Sequence, residues 1–488
     1  MAAIITEKFR VHNAKQFKED FGESASSTYV FIGRSHPWPT DTSPPTPVNG
    51  TSETVDAWSD MTALKKVGSA DVSHGLTRYD WTSGTKYDEY AHDISATNTS
   101  SATGANSLFA SKFYVMTDEY HVYKCLRTGR ATGGATVNST VKPTGTSATA
   151  LVETADTGAT MYGYLWKYMY TVTASDTIKF VTNDFIPVKT IGAKADIDGS
   201  VGALGTAASD DGSSQWDVEN NAVNGGVHHA VVTAGGSNYT NGDGAYENVP
   251  IVGDGSGGVC TVHIAGGAVT HITVTNPGTG YRQAQIIIAT TTSGLSGIGS
   301  GSGATVKCII SPQIGHGADP VQELGGNHVI VNSRLEFGEG SGDFPTDNDF
   351  RRIGLVQDPF STGTTVATAS SMAAYHQMTV SDASDLSVDD IIRSAASDAS
   401  GVANSRIVSI TGNVVSHIPI ADSAGGFTNF AATNNVFLGS SNKGTVSSVN
   451  AAFPEVVKHS GQILYVENRG AVTRAADQIE DIKLIIEM

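Results

Sequence analysis

The chain has 488 residues, enough for several domains, and carries a formal net charge of −18 from 30 Lys+Arg against 48 Asp+Glu. With no basic run longer than Lys65-Lys66, that balance excludes the basic face of a nucleic-acid binder. Charged residues make up only 16% and glycine numbers 54, a mix closer to extracellular or virion β-proteins than to helical cytosolic enzymes.

In chain order, the opening "MAAIITEKFRVHN" lacks the basic start and apolar core of a secretory signal. Asn13 is placed to cap a helix over 14–21, with Gln16 at the capping-box position, Phe17 and Phe21 on one face, and Gly22 as a left-handed stop. "TYVFIGR" (Thr28–Arg34) reads as a strand, and "SHPWPTDTSPPTPVNG" as an ordered, extended surface loop, because each Pro removes a donor. A second helix is predicted over 53–67, from the spacing of Val55, Trp58, Met61 and Leu64. The region 110–190 is β-rich. In it, Tyr162, Tyr164, Trp166, Tyr168 and Tyr170 alternate with other residues, giving a strand with one aromatic face that suits either a sandwich core or an interface.

The stretch "ADIDGSVGALGTAASDDGSSQ" reads as a loop. The Gly-rich block 228–312 carries an internal echo: "VTAGGSNY" (Val232–Tyr239) resembles "VTNPGTGY" (Val274–Tyr281), and "GSGGVCTVHI" (Gly255–Ile264) resembles "GSGATVKCII" (Gly301–Ile310). It reads as two copies of a small β unit packed as one module. "HVIVNSRLEF" and "DFRRIGLV" read as strands of a main body, within 313–365. A second β module, 366–450, contains a hairpin turning at Thr411–Asn413, and "GTVSSV" closes it. "ILYVENR" and "IKLIIEM" in 451–488 are the closing strands, with the chain end built into the fold. The overall expectation is α+β, mostly β. A discontinuous core is formed by 1–227, 313–365 and 451–488, with 228–312 and 366–450 inserted at surface loops, where extra length costs little closure entropy.

No chemical motif stands up to its context. "GDGSGG" (Gly253–Gly258) matches GxGxxG, but a strand follows it instead of a helix start. Asn241, Asp243 and Glu247 supply oxygens without the order of a calcium loop. Cys125, Cys260 and Cys308 form no CxxC pair and read as buried thiols. Asp343, Asp347 and Asp349 sit in an acidic loop before Arg351 and Arg352. Glu467, Asn468, Arg469, Arg474, Asp477 and Glu480 form a polar cluster that reads as a joint. No catalytic residue, metal ligand or cofactor site is assigned, and no apolar run has the length of a membrane span.

Several stretches together resemble the gene-product-eight family, baseplate wedge subunits of T-even-like contractile-tailed bacteriophages. These are "ITEKFR", "VFIGRSHPWP", "TRYDWTSGTKYDEY" (Thr77–Tyr90), "VYKCL", "YGYLWKYMY", "IPV", "DFRRIGLVQDP", "HSGQILYVENR" and "ADQIEDIKLIIEM", in family order. The resemblance covers 1–190, 315–360 and 451–488. The modules 228–312 and 366–450 depart from it. It implies a non-enzymatic structural protein in the virion tail baseplate, assembled in the host cytoplasm. Such a protein contacts other wedge subunits and a second copy of itself as a dimer, and binds neither nucleic acid nor membrane. It also implies a mixed α/β fold with β-sandwich parts, whose terminal segments share one domain. The expected contact surfaces are the loop Pro37–Pro47, the loop around Trp81 and the aromatic strand. On this reading, replacing Trp81 by Ala impairs assembly without unfolding the protein. The rival readings are a receptor- or glycan-binding tail protein using the inserted modules, and a polysaccharide hydrolase.

Overall fold

The computed structural model describes residues 3–23, 25–131, 134–148, 151–154, 161–194, 208–239, 243–336, 344, 346–475 and 478–488. Strand accounts for 42% and helix for 11%, so the fold is mostly β with accessory helices. The chain forms two compact units, each built from separated stretches. The first comprises Met1–Lys15, Ser73–Val329 and Ile486–Met488; the second comprises Gln16–Val72 and Ile330–Ile485.

In the first unit an antiparallel sheet orders Tyr114–Met116, His121–Arg127, Tyr164–Thr171 and Val152–Thr154. Its aromatic strand is buried on both faces. Tyr164, Trp166 and Tyr168 pack with Tyr87 and Tyr123, while Met169 and Tyr170 pack in a second cluster with Phe113 and Ile186. The single aromatic face expected from the alternation breaks at a bulge. Register shifts between Val122↔Tyr170 and Tyr123↔Tyr168, and one extra residue turns Tyr170 to the other side. These rings form core, so the aromatic strand is not the contact surface expected of it. The stretch Ile178–Phe180, read with the strands, instead closes a short helix, Ala174–Phe180, capped by the Thr173 hydroxyl accepting from the Asp176 amide at 3.1 Å.

The Gly-rich block folds as the two related copies, but they exchange partners. Val227–Ser237 pairs with Ser302–Ile310, and Ala268–Thr279 pairs with Ser256–Ala265. Each "VT…Y" strand therefore lies beside a "GSG…" strand, and the two pairs use the same chemistry. Tyr239 and Tyr281 are both buried, at 1% and 2% exposed. The Tyr281 hydroxyl receives the Gly258 amide at 3.1 Å, and the Tyr239 hydroxyl receives the Ala304 amide at 3.3 Å. A Cβ on Gly255 would stand 2.5 Å from the Tyr281 ring, and one on Gly301 2.3 Å from the Tyr239 ring. One apolar cluster, including Cys260, Val262, Ile272 and Cys308, fills the module.

The second unit holds a five-stranded antiparallel sheet in the order Ser371–Ala373, Met61–Lys66, Thr28–Gly33, Asn348–Gln357, Gln462–Arg474. Early, middle and late sequence thus share one sheet, and Tyr29, Phe31, Trp58, Leu64 and Val356 bury against each other. The closing strand Ile479–Glu487 lies beside His328–Glu336. Residues 376–449 form a closed six-stranded barrel in which Ser441–Val449 returns to His376–Val380. The hairpin Asn404–Thr411/Val414–Ile420 turns through Gly412 at φ 59°, as the sequence suggested.

Both predicted helices differ in extent. The first runs Glu7–Asp20, so Asn13 lies inside it and Thr6 caps it, its hydroxyl accepting from Phe9 at 3.3 Å. Burial of Val11 and Ala14 one turn apart carries the helix through Asn13. Phe17 and Phe21 do meet, with ring centroids 5.2 Å apart. The Gly22 amide closes a turn onto Glu19 at 2.8 Å, without a left-handed backbone. The second helix stops at Asp60, and Met61–Lys66 is a strand instead of the helical continuation expected to residue 67. Strand pairing of Leu64 with Phe31 buries that residue fully and overrides its helical spacing. Gly33 permits the change of direction, since a Cβ there would sit 2.7 Å from the Asp60 carbonyl.

Candidate functional site

Of the polar residues singled out in the sequence, Asp349 and Asn468 meet Arg351 and Arg352, each only 3% exposed. The bulge between Phe350 and Arg352 lets adjacent guanidinium groups both find partners. Arg351 grips Asp41 with its Nε at 3.1 and 3.0 Å, reaches Asp349 through Nη2 at 3.0 Å, and donates to the Ser35 carbonyl. The Arg351 hydrogen bond holds the Asp41 carboxyl below its ordinary range. Arg352 reaches Glu53 at 2.8 Å, Asn468 Oδ1 at 2.9 Å and Asp60 at 3.5 Å.

The Pro-rich loop is fastened to the same place. The Arg34 guanidinium lies 3.6 Å over the Trp38 ring, and Trp38 Nε1 donates to the Arg469 carbonyl at 2.9 Å. Asn468 Nδ2 donates to the Pro45 carbonyl at 3.0 Å. Trp38 is buried, whereas Pro37, Pro39, Thr40 and Pro45 stay exposed. The loop is therefore a docked strap with an exposed crest.

In the closing stretch, Glu467 pairs with Arg469 at 3.1 Å. Arg474, fully buried, pairs with Glu480 at 3.0 Å. Asp343, Asp477 and Asn241 lie outside the described residues, as does most of the 195–215 loop. Asp349 is shared by Arg351 and the Thr473 hydroxyl, the latter at 2.6 Å. Asp349, Glu467 and Glu480 are thus engaged by guanidinium groups and a hydroxyl of the fold itself.

Trp81 is half-buried, rests on the aromatic cluster and donates to Ser139 at 3.0 Å. Its neighbours Thr82, Ser83, Gly84 and Lys86 are the exposed part of that loop. The amides of "GDGSGG" are used internally, and Asp254 accepts the Arg282 and Gln283 amides at 2.8 and 2.9 Å. Asp243 accepts from the Gly267 amide at 3.4 Å, and no group of three His, Cys, Asp or Glu among the described residues is placed to hold a metal ion. The three cysteines are free and buried, and burial pushes Cys260 up to about 12 and Cys308 to about 11.

Sequence reasoning missed a buried charged cluster in the first unit. Lys124 Nζ meets Glu323 at 2.8 Å, with side chains 0% and 2% exposed, and lies 4.1 Å over the Tyr90 ring. Glu323 also accepts the Gly317 and Asp319 amides, at 2.7 and 3.2 Å. Lys167 enters from the neighbouring strand, where burial lowers it to about 8 against the attraction of Glu323. His316 edges onto Tyr90 at 4.9 Å and His228 at 5.3 Å. A signal was present: Lys124 in "HVYKCL" and Lys167 in "YLWKYMY" are lone charges in apolar strands, which bury only with partners. Nearby, Glu89 accepts from Thr128 and Arg130 at 3.0 Å each.

Both units are β-rich, and the polar clusters described above are paired within the fold. Residues 3–131 match the family model described as Bacteriophage T4, Gp8. The chain is also 25% identical over 209 residues to the baseplate wedge protein gp8 of Enterobacteria phage T4, an alignment covering 38% of this chain and 60% of that protein. Over these residues the chain is similar to gp8, in agreement with the resemblance read from its sequence. It spans about 60% of the length of the curated relative it matches.

Proposed function

We propose that this protein is a structural subunit of a phage tail baseplate wedge. It is non-enzymatic, and works by being held between other wedge subunits and a second copy of itself. The observation that carries this reading is the match of residues 3–131 to the gp8 family, together with the T4 relative. The cluster around Arg351 and Arg352 supports it, because these guanidinium groups tie together segments distant in sequence, at Asp41, Glu53 and Asn468. On this reading the protein resides in the virion tail after assembly in the host cytoplasm, and the exposed crest of the Pro-rich loop and the loop at 82–86 are contact surfaces. Stable interfaces of this kind bury about 1,600 Å² in total.

Antibody labelling of purified particles tests the reading. Signal at the tail end distal to the head, with the protein recovered from isolated baseplates, is the expected result. Absence from washed particles would refute it. For the self-association, sedimentation of the purified chain should give a dimer mass.

A further inference from the structure

We propose that a pocket in the first unit is a socket for an arginine side chain presented by a neighbouring protein of the assembly. This inference rests on the structural-subunit reading above. The pocket lies among the first helix, the turn Leu108–Ala110 and the end of the helix Pro320–Leu324, is open to solvent on one side, and has a volume of about 190 Å³. That is below the roughly 300–1,000 Å³ of sites for small organic ligands, and suits a single long side chain.

Its chemistry selects the side chain. Phe109 and Leu324 supply apolar wall, and Tyr114 adds a ring whose hydroxyl is already spent on the Thr77 carbonyl at 2.8 Å. Glu7 supplies a carboxylate that is only lightly engaged, accepting from Asn327 Nδ2 at 3.2 Å and standing 3.9 Å from Arg10 Nε. Asn327, which donates to Glu7 through its amide nitrogen, lines the pocket and carries an acceptor oxygen as well. His328 Nδ1 is buried without a hydrogen-bond partner. Aromatic wall, carboxylate and acceptors together fit a flat cation with a fork of N–H donors. A guanidinium bonds a carboxylate at two points through its planar fork and stacks flat on rings, whereas an ammonium, though attracted to a ring face, lacks that fork.

Two further observations agree. Gly325, at φ 80°, shapes the wall: a Cβ there would come within 2.5 Å of the Phe109 ring. Ile4, Ile5 and Phe9, on the stretch that carries Glu7, are 86%, 63% and 52% exposed. They are exposed apolar side chains of the sort that a partner covers. The net charge of −18 favours approach of a basic partner.

The test uses the full-length protein and N-acetyl-arginine amide as probe, with the citrulline analogue as an uncharged control of the same shape. Titration followed by NMR or calorimetry should show saturable millimolar binding, at least tenfold weaker for citrulline. Glu7→Gln should weaken arginine binding about tenfold, and Ala110→Phe, which fills the pocket, should abolish it, with circular dichroism unchanged in both. Equal binding of citrulline, insensitivity to both variants, or no saturation by the unmodified protein would overturn the socket. Because the first comparison uses unmodified protein, a misfolded variant leaves the test decisive. Failure here alongside recovery of the protein from baseplates removes the socket and leaves the wedge reading standing; absence from baseplates removes the wedge reading by itself.

Discussion

Lys124 and Glu323 form an exacting pair, because both charges are withdrawn from water at 2.8 Å separation. Burial lowers the Lys124 proton affinity, and Glu323 opposes that. Glu323→Gln should therefore destabilise the first unit by about 3–5 kcal/mol, the usual cost of orphaning a buried charge. Replacing both residues by apolar ones of similar volume should cost much less; urea unfolding followed by fluorescence measures the difference. The histidines beside them set a pH dependence. Burial, reinforced by Lys167 and Lys124, lowers His228 to about 4, and burial holds His316 well below its ordinary value of 6.5. Between pH 6.5 and about 4 the unfolded chain binds protons that the folded chain refuses. Stability is then full above pH 6.5 and falls as the pH drops through that window, by about 1.4 kcal/mol for each tenfold loss of proton affinity. The thermal midpoint should be flat from pH 8 to 7 and decline from 6 to 4. His316→Phe, which keeps the ring against Tyr90, should shallow the decline; an unchanged slope would show that other groups dominate.

Among the elements, the two repeat copies give an internal control. Gly255 and Gly301 occupy equivalent positions against Tyr281 and Tyr239, so Gly255→Ala and Gly301→Ala should destabilise the Gly-rich module to similar degrees. Overpacking of this kind costs about 1–3 kcal/mol. Tyr281→Phe should cost a comparable amount, since it leaves the buried Gly258 amide and Ile251 carbonyl without the hydroxyl, 3.1 and 2.7 Å away. Hydrogen exchange of the module's amides reads all three, and a large difference between the two glycine variants would mean that the copies are not energetically equivalent. The bulge in the aromatic strand shows the same dependence on neighbours: one inserted residue decides that Tyr170 joins a different cluster from Trp166.

For the molecule as a whole, the decisive feature is that late sequence completes early structure. Asn348–Gln357 is central in its sheet only because Gln462–Arg474 covers its far edge. Truncation before Gln462 would expose that edge and strip Asn468 from Arg352, so the shortened chain should be insoluble or trapped as aggregate. Expression followed by size-exclusion chromatography measures this; a soluble, monodisperse product lacking 462–488 would contradict it. In the first unit, Arg10 from the opening helix pairs with Glu487 at 3.1 Å. Sequence ends distant in the chain thus contribute to each compact unit.

The sequence alone determined the mostly β character, the resemblance to gp8, the two related copies in the Gly-rich block and the Thr411–Asn413 hairpin. These follow from local periodicity, turn chemistry and pattern identity, which act over a few residues. Only the tertiary structure decided that Met61–Lys66 is a strand, because a helix-compatible spacing yielded to pairing with Thr28–Gly33. It alone set the exchange of strands between the copies and the choice of partners for Arg351 and Arg352. It also gathered Lys124, Lys167, His228 and the stretch carrying His316 and Glu323 into one buried cluster. Such outcomes depend on contacts between residues hundreds of positions apart, where spacing along the chain carries no information about distance in space.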